Sequence, residues 1–191
     1  MSLESQINHL TKKGNIEVIC GSMFSGKTEE LLRRLKRAQF AKLEIAVFKP
    51  KIDSRYDTQK IVSHDKNTII ATPVDCAKDI LKLVTTAQVV AIDEAQFFDA
   101  NLVDVCNELA NNRRRVIIAG LDMDFLGEPF GVMPQILAIA EYITKVHAIC
   151  INCSAIANHS YRTTTDTTLV KLGEKEVYKA LCRDCFANKI K

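Results

Sequence analysis

Apolar residues along the chain fall in short blocks whose spacing alternates between that of strands and that of helices. Residues Ile16 to Cys20, IEVIC, form a β-branched run ending at a glycine, the pattern of a buried strand. From Thr28 to Gln39, Leu31, Leu32, Leu35 and Ala38 recur at helical spacing. Arg33, Arg34, Lys36 and Arg37 fill the opposite face, which predicts an amphipathic helix with a solvated basic side. Glu44 to Phe48 reads as a second strand, and the polar stretch KPKIDSRYDTQK as a loop. At Thr72 the segment TPVD offers a capping hydroxyl, a proline at the first helical position and an acid three residues after the cap, predicting a helix to about Val84. A buried strand at Val89 to Ile92, a helix near Asn101 to Asn111 and a strand at Val116 to Leu121 complete an alternation that suits a parallel sheet covered on both faces.

Beyond Ile143 this rhythm stops, giving way to paired cysteines, the Thr-rich stretch TTTDTT and a charged tail. With 191 residues, the chain has room for one α/β core at 14–142 and a small second domain at 143–191. Hydrophobic content of 47% with 26% charged residues supports a packed core. The net charge of +3 is too weak for a dedicated nucleic-acid binder. The N-terminus lacks a secretory pattern, and no run reaches the roughly 18 apolar residues of a membrane span, so the expected location is the cytoplasm, without a membrane partner.

The most informative segment is Gly21 to Thr28, GSMFSGKT, which fits GxxxxGKT between a strand and a helix. Gly21 and Gly26 let the backbone turn so that amides face phosphate oxygens, helped by the positive end of the helix. Lys27 is expected to reach the β and γ phosphates, and Thr28 to offer its hydroxyl to Mg²⁺. In VVAIDEAQFF a buried strand delivers acids at its C-terminal end. Asp93 is the expected magnesium partner, and Glu94 the expected base toward whatever attacks the γ phosphate. Asp53 and Arg55, in IDSRY, read from the residues alone as solvated loop positions.

Seven cysteines, an odd number in a chain without a secretory pattern, argue against a disulfide framework. Cys150 with Cys153 and Cys182 with Cys185 form two CxxC pairs, whose four thiolates suit a closed structural zinc site; a redox pair is the competing reading. Ser154 to Leu181 must then leave the site and return to it, as a loop or lid would. Cys20, Cys76 and Cys106 are read as buried small hydrophobes.

Taken in order, GSMFSGKT, DSRY, IDEAQFF, LDMDFLGEPFG and the two CxxC pairs resemble the zinc-containing thymidine kinase family, over about Gly14 to Phe186. The resemblance implies an α/β fold: a RecA-like parallel-sheet P-loop domain with a small C-terminal zinc-ribbon lid or lasso domain. It implies transfer of the γ-phosphoryl of ATP, with Mg²⁺, to the 5′-hydroxyl of thymidine or deoxyuridine, with Glu94 as base. By motif it places Gly21, Ser22, Met23, Phe24, Ser25, Gly26, Lys27, Thr28, Asp53, Ser54, Arg55, Asp93 and Gln96 on ATP. The nucleoside pocket falls to Met23, Leu121, Phe125, Phe130 and Tyr178, and to a lasso formed by Leu169, Val170, Lys171, Leu172 and Gly173 whose backbone reads the pyrimidine edge. A homotetramer and feedback inhibition by dTTP are further implications of the family. Two rivals stay open on the residues: an ATPase motor whose glutamate activates water, and a zinc-ribbon nucleic-acid module. Thymidine-dependent ATP consumption separates all three.

Overall fold

The computed structural model describes residues 13–51, 60–62, 68–164 and 177–189. Strand β1 (Asn15–Cys20) leads through the glycine-rich loop into helix α1 (Lys27–Phe40), which buries Leu31, Leu32, Leu35 and Ala38 as the spacing predicts. Strand β2 (Ile45–Pro50) follows, then a two-stranded antiparallel ribbon, β3 (Lys60–Val62) and β4 (Thr68–Ile70).

The segment read as a helix start at Thr72 is instead strand β5 (Thr72–Val74), and helix α2 (Ala77–Leu83) begins only after Cys76. Thr72, Pro73 and Val74 pair in parallel with Phe48, Lys49 and Pro50 at the sheet margin. An edge strand tolerates a proline because one side needs no N–H donor, so tertiary pairing overrides the local capping signature. Cys76, read as a buried hydrophobe, is half-buried at the helix cap, and its thiol donates to Asp79. Cys20 and Cys106 are buried as expected, and burial pushes their thiols up to about 11 and about 12, so both stay protonated.

Strand β6 (Val89–Ile92), a tight helical turn (Ala95–Phe97), helix α3 (Leu102–Asn111) and strand β7 (Arg115–Gly120) come next. Helix α4 (Met133–Ile139) and strand β8 (Tyr142–Lys145) complete a six-stranded sheet of order β5-β2-β6-β7-β1-β8. Every pairing in it is parallel. All strands therefore end on one edge, where α/β sheets bind ligands. The loop strand β1 and the acid strand β6 are separated by β7 alone, the RecA-like arrangement expected for this fold class. Ile143 pairs with Val18, so the boundary expected at 143 falls inside a sheet strand. The change in character comes after Val146, whose N–H still donates to Cys20.

Two apolar layers cover the sheet: Leu31, Leu32 and Leu35 of α1 pack on one face, and Ile80, Leu102, Val105 and Ile136 of α2, α3 and α4 on the other. On the α1 side Glu17 is fully buried and accepts from Arg34 (2.8 Å) and Arg115 (3.0 Å). Arg34 also donates to Glu30 and Thr144. The expectation of a wholly solvated basic face thus fails at Arg34, because its partners Glu17 and Thr144 lie on β1 and β8 and are invisible to helical periodicity. Breaking a buried ion network by removing one member leaves uncompensated charge. Glu17→Ala is therefore expected to destabilise the fold by about 3–5 kcal/mol, read as a lower urea midpoint at unchanged slope.

Past the sheet, β9 (Ala148–Ile149) pairs with β10 (Ile156–Ala157), and β11 (His159–Arg162) with β12 (Tyr178–Leu181), before helix α5 (Arg183–Ala187). Their core is small: Ala148, Ala157, Ala180, Leu181 and Phe186 around two cysteines.

Candidate active site

The glycine-rich loop sits between the end of β1 and the start of α1. At Gly21 φ is 144°, and a Cβ there would lie 2.1 Å from the Val146 carbonyl oxygen, so only glycine fits. Phe24 and Gly26 also take positive φ, turning the chain into α1, whose first amides open toward the loop. The Lys27 ammonium donates to the Ser22 carbonyl at 2.7 Å, and the Ser25 hydroxyl donates to the same oxygen at 2.7 Å. Lys27 is thereby folded back over the loop.

The far side of the loop leans on the cysteine-bearing segment. The Met23 N–H donates to Ser160 Oγ on β11 at 2.9 Å, and Phe24 packs against the small core formed by Cys150, Cys182 and Phe186.

At the end of β6, Asp93 is buried; its N–H donates to Phe48 and its carboxylate accepts from the Glu94 N–H at 2.9 Å. Glu94 adopts the left-handed conformation, φ 52° and ψ 41°, which is sparsely populated by non-glycine residues and clusters at functional sites. Its carboxylate accepts from Gln96 Nε2 at 2.5 Å. Gln96 Oε1 accepts in turn from the Leu121 N–H at 2.9 Å. Gln96, expected on ATP by motif, thus has its side-chain amide engaged between Glu94 and the end of β7.

The loop after β7 carries the expected aromatic residues. Asp124 accepts from the N–H groups of Leu126 and Glu128, closing a tight turn. Half-buried Phe125 lies under the Arg162 guanidinium, 3.8 Å from ring centroid to guanidinium carbon. Arg162, only 5% exposed, also donates to the Tyr178 hydroxyl at 3.0 and 2.6 Å. Arg162, which the sequence reading missed, thus contacts both Phe125 and Tyr178. Phe130 packs edge-to-face on Phe97, centroids 5.6 Å apart. Asp122 pairs with Lys145 at 2.6 Å, linking the ends of β7 and β8. Asp53, Ser54 and Arg55 and the lasso stretch Leu169, Val170, Lys171, Leu172 and Gly173 lie outside the described residues.

Cys150, Cys153, Cys182 and Cys185 bring all four sulfurs within 4.8 Å of one another. A tetrahedron with Zn–S bonds of about 2.3 Å has edges of about 3.8 Å, so the cluster fits zinc. The Cys185 N–H points at Cys182 Sγ, at 3.5 Å, as in a knuckle prepared for thiolate.

A thymidine kinase family model matches residues 14–186, which embraces the loop, the acid strand, the aromatic turn and all four cysteines. The chain belongs to the thymidine kinase family. A thymidine kinase of Bacteroides fragilis strain YCH46 is 56% identical over 96% of this chain and 92% of its own. One of Rhodothermus sp. strain ITI 518 is 57% identical over 94% and 84%, and one of Porphyromonas gingivalis strain W83 is 54% identical over 97% and 92%.

In this member of the family, the loop and both acids share one sheet edge, and the aromatic turn springs from the neighbouring strand. Two participants escaped the sequence reading: Arg162 and Ser160. They alternate with His159 and Tyr161 on a short strand, and nothing in HSYR announces that its arginine is buried against two rings. His159 stacks on Phe186, and burial, with Arg183 and Lys145 nearby, lowers its pKa, so the ring is neutral at pH 7. Among the described residues no helix is long and apolar enough to cross a membrane.

Proposed function

We propose that this chain transfers the γ-phosphoryl group of ATP to the 5′-hydroxyl of thymidine, or of deoxyuridine, in pyrimidine deoxynucleotide salvage. The observation that carries the reading is the Glu94 carboxylate, fixed at the strand end beside the nucleoside loop and on the same sheet edge as Lys27. Glu94 accepts the proton of the 5′-hydroxyl as that oxygen attacks the γ phosphorus. The bond from the γ phosphorus to the bridging oxygen breaks, and ADP leaves carrying the electron pair. Lys27 and the loop amides hold the phosphates throughout.

Thr28 and Asp93 offer a hydroxyl and a carboxylate, hard oxygen donors that suit Mg²⁺. Held by these two residues with ATP, such an ion would offset negative charge on the transferring phosphates. Asp53, Ser54 and Arg55 join the phosphate side by motif. The acceptor is uncharged, so its pocket calls for aromatic faces and backbone polar groups: Phe125, Phe130 and Tyr178, with Met23 and Leu121 toward the thymine methyl and Leu169 to Gly173 as the lasso. Arg162 backs Phe125 and Tyr178, stiffening the platform.

The reading extends to two functional parts, a P-loop domain and a zinc and lasso domain, and to a cytoplasmic enzyme that binds neither nucleic acid nor membrane. It also includes a homotetramer inhibited by dTTP. Exposed Ile143 on the sheet margin, with Ile149, Ile151 and Ile156 on the cysteine-bearing ribbon, supports association between copies. The test is ATP consumption across a panel of nucleosides. Thymidine-dependent ADP release with matching dTMP is the expected result; ADP release without any nucleoside, water taking the phosphoryl group, overturns the reading.

A further inference from the structure

Gln96 is 3% exposed, and both ends of its side-chain amide are committed. The Leu121 N–H can only donate, so the amide oxygen must face it, and the NH₂ group then faces the Glu94 carboxylate, which accepts. The orientation is thus dictated by the partners. Leu121 is the first residue after β7 and opens the turn that carries Phe125 and Phe130. The same turn closes on Gln96 from its other end, because a Cβ on Gly131 would lie 2.3 Å from the Gln96 carbonyl oxygen. Gln96 is gripped at side chain and backbone by the nucleoside turn, and its one remaining donor group reaches Glu94.

Glu94 itself is half-buried, with three side-chain torsions and a left-handed backbone that aims it away from the strand direction. Several rotamers are open to such a side chain, and the 2.5 Å hydrogen bond from Gln96 favours the one in which the carboxylate faces the amide. We infer that Gln96 is a positioning residue for phosphoryl transfer, holding the Glu94 carboxylate in register with the nucleoside turn. The inference rests on Glu94 being the base. Its consequence is that nucleoside binding and base placement are mechanically one unit: whatever settles the turn at Leu121 settles the carboxylate as well.

Two substitutions separate this role from simple satisfaction of the Leu121 N–H. Gln96→Glu keeps an oxygen for Leu121 but replaces the donor facing Glu94 with a second carboxyl oxygen. Gln96→Met keeps the shape and loses both hydrogen bonds. Misplacing a reacting group by about 1 Å costs about 100-fold in rate, so both variants are expected to lose about 10- to 100-fold in kcat near pH 8, with KM for ATP close to wild type. Two carboxyl groups at hydrogen-bond distance share a proton as the pH falls, and the introduced carboxyl can then donate as the amide did. Gln96→Glu is therefore expected to regain turnover relative to Gln96→Met between about pH 8 and about pH 6.

Wild-type kcat for Gln96→Glu near pH 8, or a constant ratio between the two variants across pH with KM raised for both substrates, overturns the inference in favour of a structural role. Should Gln96→Glu fail to fold, Gln96→Met decides: a fall in kcat at unchanged KM for ATP supports positioning, and unchanged kcat overturns it. Glu94→Gln keeps the two failures apart. If that variant turns over normally, the base assignment is wrong; if it is inactive while Gln96→Glu is fully active, only the role of Gln96 is wrong.

Discussion

Glu94→Gln is expected to lower kcat by about 10³-fold, within the range of about 10² to 10⁴ that general-base catalysis contributes, while ATP affinity changes by less than about twofold. The substitution is nearly isosteric, and the introduced amide can still offer an oxygen to Gln96 Nε2, so the hydrogen bond that fixes the side chain persists. The left-handed backbone at this position is unaffected, because both residues carry the same Cβ. What disappears is a group able to take the proton of the 5′-hydroxyl. In the proposed reading ATP is held by the Gly21–Thr28 loop, which draws its rigidity from β1, α1 and Ser160. Steady-state turnover with thymidine, alongside calorimetric titration with a non-hydrolysable ATP analogue, separates the two effects. Turnover within a fewfold of wild type would remove Glu94 as the base.

The strand, glycine-rich loop and helix around Gly21 to Thr28 were legible in the sequence because their determinants are local. A strand, a glycine-rich turn and a helix follow one another within Ile16 to Gln39, and periodicity alone locates β1, α1, β6, α3 and β7 to within about two residues. The paired cysteines were legible from their CxxC spacing, whereas the aromatic turn was legible only through family resemblance, since no periodicity points to it. The failures share one cause, a partner distant in sequence. TPVD carries every local mark of a helix start, yet pairing with Phe48 to Pro50 makes it a strand. Arg34 lies among solvated bases by helical spacing, yet a buried glutamate on β1 claims it. Ile143 looks like the start of a new segment until Val18 is seen beside it. Arg162 and Ser160 join the site only because an antiparallel ribbon brings β11 against the loop and the turn. Gln96 shows the reverse, a residue visible in its motif whose role follows from what its amide touches.

Zinc removal, or Cys182→Ser, is expected to unfold the ribbon formed by residues 148–164 and 177–189 while leaving the parallel sheet intact. Its apolar core consists of three alanines, a leucine and a phenylalanine around the cysteines, too little to order such a segment alone. A structural zinc site contributes on the order of 10 kcal/mol or more, so its loss exceeds anything the remaining packing supplies. The sheet draws on two separate apolar layers that contain no residue of the ribbon. Amide hydrogen exchange should therefore rise sharply in β9 to β12 and α5 and stay slow in β1, β6 and β7. The effect should then reach the phosphate loop. Met23 loses the Ser160 hydroxyl that holds its N–H, and Phe24, in its left-handed conformation, loses the surface it packs on. The loop must then be ordered at the expense of binding, weakening ATP by about tenfold, equivalent to roughly 1.4 kcal/mol, in a chain whose Lys27 and Thr28 are untouched. One zinc per chain by elemental analysis, lost together with ribbon protection and ATP affinity, is the expected result. Retained protection in β11 and β12 after complete zinc removal would show that packing alone sustains the ribbon. Reduced ribbon protection with unchanged ATP affinity would instead show that β1 and α1 suffice to hold the loop, and that the contacts at Met23 and Phe24 serve the ribbon rather than the nucleotide.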